Sequence, residues 1–143
     1  LKFSEVESNT WEELRPYLDT CLLPVAGLSG KEQPYEVTAA LLRLRDMMDL
    51  VEIPFKGRVV TYPTVQYGRD NIFEFINEIS RNVKSSGFRF VVVITSDVLL
   101  HNSYLPDVDL VLSLQSLEGS EALPNSMIIQ NEIQRIWQRD NQR

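Results

Sequence analysis

Histidine and cysteine are almost missing from this chain: His101 and Cys21 are the single examples in 143 residues. Zinc sites draw three or four ligands, chiefly imidazole and thiolate. A His- or Cys-rich metal centre within one chain is therefore excluded. An all-carboxylate magnesium or calcium site survives that count, but no DxDxDG-type loop is present, so no metal and no cofactor is expected. A lone cysteine forms no intrachain disulfide, which favours a reducing, cytoplasmic setting. Basic residues are also few, 14 against 20 acidic ones, for a net charge of -6. Phosphate recognition needs clustered Lys and Arg, so neither nucleic acid nor an anionic membrane surface is expected as a partner. No apolar run approaches the roughly 20 residues of a transmembrane helix. The opening LKFSEVESNT lacks an apolar signal-peptide core. Leu1 is not an initiator methionine, which fits a trimmed natural N-terminus.

Other absences narrow the chemistry further. There is no GxSxG nucleophile elbow, and neither GxxxxGK[ST] nor GxGxxG appears. No repeat, low-complexity tract or linker divides the chain, and its length predicts one domain over 1–143. Folding at this size buries about two-thirds of the unfolded surface, enough for a core without staples.

What is present is organised around Phe88 to Asp97, FRFVVVITSD. Its valines and isoleucine do not alternate with polar residues, so the pattern predicts a strand buried on both faces of a covered parallel sheet. The run ends in Thr95, Ser96 and Asp97, at the carboxyl end where ligand sites of open α/β sheets lie. Ahead of it, Ser4 with Glu7 and Thr10 with Glu13 read as capping boxes. A short helix around Trp11 to Leu14 should stop near Pro16. Leu18 to Val25 reads as the first strand, with Pro24 at its end because proline removes a ladder donor. Ala26 to Gln33 is a loop.

From Pro34 a helical stripe of Val37, Ala40, Leu41, Leu44, Met48 and Val51 begins. Arg43, Arg45, Asp46 and Asp49 form its solvated face, and Pro54 ends it. Val59 to Val65 is the second strand, with Pro63 marking an edge or an early end. Gln66 to Arg69 forms a loop, and Asp70 or Asn71 caps a helix with the stripe Ile72, Ile76, Ile79 and Val83, widened by Phe75. Gly87 closes that helix in a left-handed conformation. Val98 to Pro106 has room for a turn or a short helical piece. Asp107 to Leu114 reads as an edge strand, with Val108, Leu110, Leu112 and Leu114 on one side and Val111 opposite. A polar loop over Gln115 to Asn125 precedes a last helix, with Pro124 near its start. That helix packs through Ile129, Ile133, Ile136 and Trp137. The order αβαβαβ(x)βα predicts an α/β three-layer sandwich: a mostly parallel four-stranded sheet, order 2-1-3-4, with helices on both faces.

Three loops fall at the carboxyl edge of such a sheet. The candidate ligand-binding residues are Gly27, Ser29, Lys31 and Glu32 in the first, Gln66, Tyr67 and Arg69 in the second, and Thr95, Ser96, Asp97 and His101 in the third. Each has a plainer reading. Gly27 to Glu32 succeeds a strand and precedes a helix as a phosphate loop would, yet serves equally as a connection needing flexible φ. Thr95 to Asp97 can bind a ligand or cap the next segment of chain. His101 is the one imidazole able to titrate near neutral pH, and a Ser96/His101/Asp97 set can be drawn; an exposed loop histidine is the alternative. Cys21, inside an apolar run, reads as a small buried hydrophobe.

The segments DTCLLPV, KGRVVTYPTVQYG and GFRFVVVITSD, with a late helix ending in IW, resemble the YpiF-like proteins of Bacillus relatives, a family without an assigned function. That likeness covers most of the chain and implies a cytoplasmic bacterial protein. More faintly, LLPVAGLSGKEQ, then VVTYPTVQYG and SSGFRFVVVITSD, is similar in order to the creatininase family of metal-dependent amidohydrolases. That family's Glu-Gln-His metal motif is met here by Glu32 and Gln33, but Pro34 stands in place of the histidine. Its Asn-Gly-His-Gly-Gly-Asn motif is replaced by Thr95, Ser96 and Asp97. The resemblance implies a fold kept and a metal site lost, and carries over no catalytic residue.

These readings converge on a cytoplasmic binding or adaptor domain without catalytic machinery, taking an unidentified protein or small molecule at the carboxyl edge. Two alternatives stand beside it. One is a hydrolase using Asp97 with His101 or Glu32. The other is a subunit of a larger assembly, for which Trp137 is the first surface to inspect because aromatics are enriched in interfaces; packing on its own sheet is the plainer reading of Trp137.

Overall fold

A computed structural model of the chain describes residues 1–68, 70–114 and 125–141, without the side chains of 140 and 141. The strands expected at Leu18 to Val25 and within Phe88 to Asp97 form the middle of the sheet, the first of them starting and ending later than expected. β1 (Thr20–Leu28) pairs with β4 (Phe90–Thr95) in parallel from Thr20 opposite Phe90 to Val25 opposite Thr95. β5 (Leu110–Leu112) continues the sheet on the far side of β4. On the other side of β1 lie β2 (Val59–Thr61) and β3 (Val65–Tyr67). Every ladder among the described residues is parallel. Among the described residues, four α-helices of more than one turn accompany the sheet: α1 (Ser8–Leu14), α2 (Pro34–Glu52), α3 (Ile72–Ser85) and α4 (Asn125–Asn141).

The sheet therefore has five strands rather than the expected four, and its order is β2-β1-β4-β5, with β3 joining β1 off that path, not the expected 2-1-3-4. Proline explains the difference. Pro63 interrupts the stretch expected as one strand, leaving two short pieces. Pro24 belongs to the same irregularity. It lies inside β1, not at its end. Thr20 donates to the Arg58 carbonyl and Leu22 accepts from the Tyr62 N–H, so alternate residues of β1 face this edge. The N–H that Pro24 lacks thus falls where β2 has ended at Leu22 opposite Thr61 and β3 has yet to begin at Val25 opposite Val65. A central strand carries a proline because its neighbour is broken at that point.

All six residues of β4 are buried. Val91 and Val93 face one core with Cys21, Leu23 and Val25 of β1 and Ile72, Ile76 and Val83 of α3. Phe90, Val92 and Ile94 face the opposite core with Leu22, with Met47 and Val51 of α2, and with Ile129, Ile133, Ile136 and Trp137 of α4. Helices thus cover both faces, which is why a strand with no polar alternation is stable here. Burial pushes the Cys21 thiol up to about 12, consistent with an inert core cysteine.

Other expectations are corrected. Neither proposed capping box forms. α1 begins at Ser8, so Thr10 is helical and its hydroxyl donates back to the Glu7 carbonyl. A box does form at the start of α2, where the Gln33 N–H donates to Glu36 across Pro34. Phe75 is exposed rather than widening the α3 stripe. Val108 packs with the α3-side core, not with Leu110 and Leu114, because the chain turns before β5 starts. Asn71 holds the N-cap position of α3 without a side-chain hydrogen bond. A 3-10 turn, Asn102–Tyr104, fills the segment after β4. Gly87 succeeds α3 with φ +126°. Of the loop expected over Gln115 to Asn125, residues 115–124, Pro124 among them, lie outside the described residues, and Asn125 already begins α4.

Candidate functional site

The carboxyl ends of β1 and β4 meet at two turns. Gly27 has φ +67°, a left-handed conformation, and a Cβ there would overlap the Val98 side chain. Only a glycine allows this approach. The contact brings the β1–α2 loop against the residues beyond β4. Together with Gly68 and the first turn of α3 they enclose a cleft of about 470 Å³. Glu32, Glu36, Arg43 and Asp97 supply its charged lining, and Ala40, Ile72 and Phe73 supply apolar walls.

The central feature is a two-pronged ion pair across the cleft. Arg43 donates from Nε to Asp97 Oδ1 at 3.0 Å and from Nη2 to Asp97 Oδ2 at 2.6 Å. Arg43 comes from the middle of α2 and Asp97 from the turn after β4, so the pair also ties a helix to the sheet. The arginine holds the Asp97 carboxyl below its usual range; partial burial opposes this, and the Ser96 hydroxyl assists it. Both groups keep substantial solvent contact, with side-chain exposures of 51% for Arg43 and 32% for Asp97. A pair so placed remains open to exchange with a ligand.

Glu32 is built into its own loop. Its Oε1 accepts from the Ser29 N–H and hydroxyl, each at 2.8 Å, and its Oε2 accepts from the Gly30 N–H at 2.9 Å. The Ser29 backbone N–H is the largest influence lowering its pKa to about 2. The Lys31 N–H donates to the Ser29 hydroxyl, closing the knot. Glu32 is thus an ionised staple, a poor candidate for proton transfer near neutral pH.

Of the residues singled out in the sequence, Gly27, Glu32 and Asp97 line the cleft. Ser29 supports it through Glu32. Lys31 is exposed, and Thr95 is buried with its hydroxyl accepting from the Val98 N–H at 3.3 Å. Gln66 and Tyr67 are exposed on β3 and do not line the cleft. His101 sits beside Tyr104, ring centroids 6.2 Å apart, and is not part of the lining either. Both oxygens of Asp97 engage Arg43. Arg69 lies outside the described residues.

Arg43 and Glu36 are lining residues that the sequence pattern does not single out; it places Arg43 on the solvated face of its helix. A signal is nonetheless present. Glu36, Ala40 and Arg43 fall at i, i+4 and i+7, one stripe of α2, and the small Ala40 on that stripe lets the helix approach the end of β1.

Among the described residues, no three His, Cys, Asp or Glu side chains gather as a metal site would require. None of their helices is long and apolar enough to cross a membrane.

Fold and site together define a parallel α/β domain with helices on both faces and a polar cleft at the carboxyl edge of its sheet. The family model described as "Protein of unknown function (DUF2487)" matches residues 9–138, and the chain belongs to this family. No curated protein and no solved structure matches it.

Proposed function

We propose that the domain is a binding module that takes a small polar molecule in the carboxyl-edge cleft and acts without catalysis. The observation that carries this reading is the Arg43–Asp97 pair: a solvent-accessible two-pronged contact spanning a 470 Å³ cleft. A ligand with acidic and donor groups exchanges with both partners at once. The state of the other candidates supports the same reading. Glu32 is held by its loop, His101 stands outside the lining, and Asp97 is engaged by an arginine rather than a base. The likeness of Glu32-Gln33 to the creatininase motif adds no catalytic role, since both Glu32 oxygens already serve the loop. A cytoplasmic bacterial setting and kinship with the YpiF-like proteins belong to this proposal, as does the absence of nucleic acid or membrane as partner.

A thermal-shift screen of metabolites and nucleotides tests it, because a ligand that binds only the folded state raises apparent stability. The expected result is a hit whose stabilisation disappears in Arg43→Ala and Asp97→Asn. A hit indifferent to both substitutions would remove the cleft from the account. A turnover activity abolished by Asp97→Ala would replace binding with hydrolysis.

A further inference from the structure

A second cavity, of about 400 Å³, opens on the α3-side face beside β2, under the amino-terminal segment. Four aromatic rings line it. Phe88, 4% exposed, forms its floor with Val60. Trp11 and Tyr62 flank that floor, their ring centroids 5.9 Å and 5.4 Å from that of Phe88, with Tyr62 edge-on. Phe3, 48% exposed, stands at the mouth. The only charged side chain among the described lining residues is Glu7, at the N-cap of α1. Its backbone carbonyl accepts from Thr10 and Trp11. Its carboxylate has no ion pair or hydrogen bond among the described residues.

Aromatic faces carry negative quadrupole charge and attract cations within about 6 Å of the ring centroid. The Trp11 ring already attracts one, the Arg15 guanidinium at 5.9 Å, which does not line the cavity. A neutral apolar ligand would leave the Glu7 charge beside newly dried surface, and an anion would be repelled by it. A cation on an apolar body satisfies both the rings and the carboxylate. We propose that this cavity binds an organic cation, a quaternary or alkylated ammonium carried on an aromatic or aliphatic body. The site lies on a different face of the molecule from the carboxyl-edge cleft and does not depend on it.

The test uses phenyltrimethylammonium and its uncharged isostere tert-butylbenzene, with binding read from broadening of each probe's methyl resonance over the intact chain. The cation is expected to bind about tenfold or more tighter than the isostere. Glu7→Gln, at the exposed rim, should weaken the cation by about threefold to fivefold, and Trp11→Leu by about tenfold. Arg43→Ala should leave binding unchanged. No broadening of the cation, equal affinity for the isostere, or wild-type affinity in Glu7→Gln would each overturn the proposal. Because Trp11 also packs on Phe88, a Trp11→Leu chain that fails to fold leaves the isostere comparison and Glu7→Gln to decide.

Discussion

At each end of the parallel sheet an arginine grips an aspartate with two hydrogen bonds, and the two pairs have opposite surroundings. At the amino end, Arg58 donates from Nε and Nη2 to Asp19 at 2.9 Å and 3.2 Å. The guanidinium lies 3.9 Å from the centre of the Trp137 ring. The Trp137 indole N–H donates to the Thr20 hydroxyl at 2.9 Å, and that hydroxyl donates to Asp19. Phe55 meets the indole edge-on. Trp137, Thr20 and Asp19 are all buried. At the carboxyl end, Arg43 and Asp97 make the same contact over an open cleft, with no aromatic ring stacked on the guanidinium among the described residues and more than half of the arginine in solvent. One motif thus does two jobs. Enclosed, it locks α4 to the start of β1; open, it presents charge. Ligands of parallel sheets belong at the carboxyl end, so the closed amino end is free to be structural.

If the amino end is a lock, breaking it should dominate. Trp137→Ala removes the indole donor, the surface under Arg58 and the Phe55 contact together, and should cost about 3–5 kcal/mol in urea unfolding. A loss no larger than that of an exposed aromatic would show that the end is not closed. Asp19→Ala leaves Arg58 and the Thr20 hydroxyl without their acceptor, for about 2–4 kcal/mol. The matched change Asp97→Ala should cost less than about 1 kcal/mol, since its pair is well solvated. Equal costs at the two ends would erase the distinction between lock and open pair. Between these falls Gly27→Ala, which forces a side chain into a left-handed backbone and against Val98; about 1–3 kcal/mol is expected, with the cleft's ligand affinity falling alongside.

The contrast also shows what the sequence could disclose. Periodicity finds elements that carry their own pattern. The unbroken apolar run of β4 gave its burial on both faces, and the spacing of Ile129, Ile133, Ile136 and Trp137 gave the packing side of α4. The Arg58–Asp19 and Arg43–Asp97 pairs span 39 and 54 residues, and no local pattern encodes such a partner. That is why Arg43 reads as a solvated charge. Trp137 is better read from sequence as a core residue than as an interface, but the polar handle at Thr20 that holds it is invisible there. Pro24 misleads for a related reason: a proline is judged against an intact neighbour, and here the neighbour is itself broken by Pro63.

The smallest expected effect concerns the loop beside the open pair. Glu32 has its pKa drawn from the ordinary 4.5 down to about 2, first by the Ser29 backbone N–H and further by the Ser29 hydroxyl and the Gly30 N–H. A carboxyl whose folded pKa is depressed contributes stability that is present above its unfolded pKa and lost as pH falls through the folded one. The Glu32 contribution should therefore be complete above about pH 4.5 and fade between there and about pH 2. Asp97, also lowered by its arginine, fades in the same direction. Because Glu32 is solvent-accessible, the effect on the unfolding midpoint should be slight. Glu32→Gln should lower the midpoint slightly at neutral pH and flatten its decline below pH 4.5, with the wild-type and variant curves converging toward pH 2. Parallel curves across that window would mean that the loop holds its shape without the carboxylate, and that Gly27 alone sets the turn bordering the cleft.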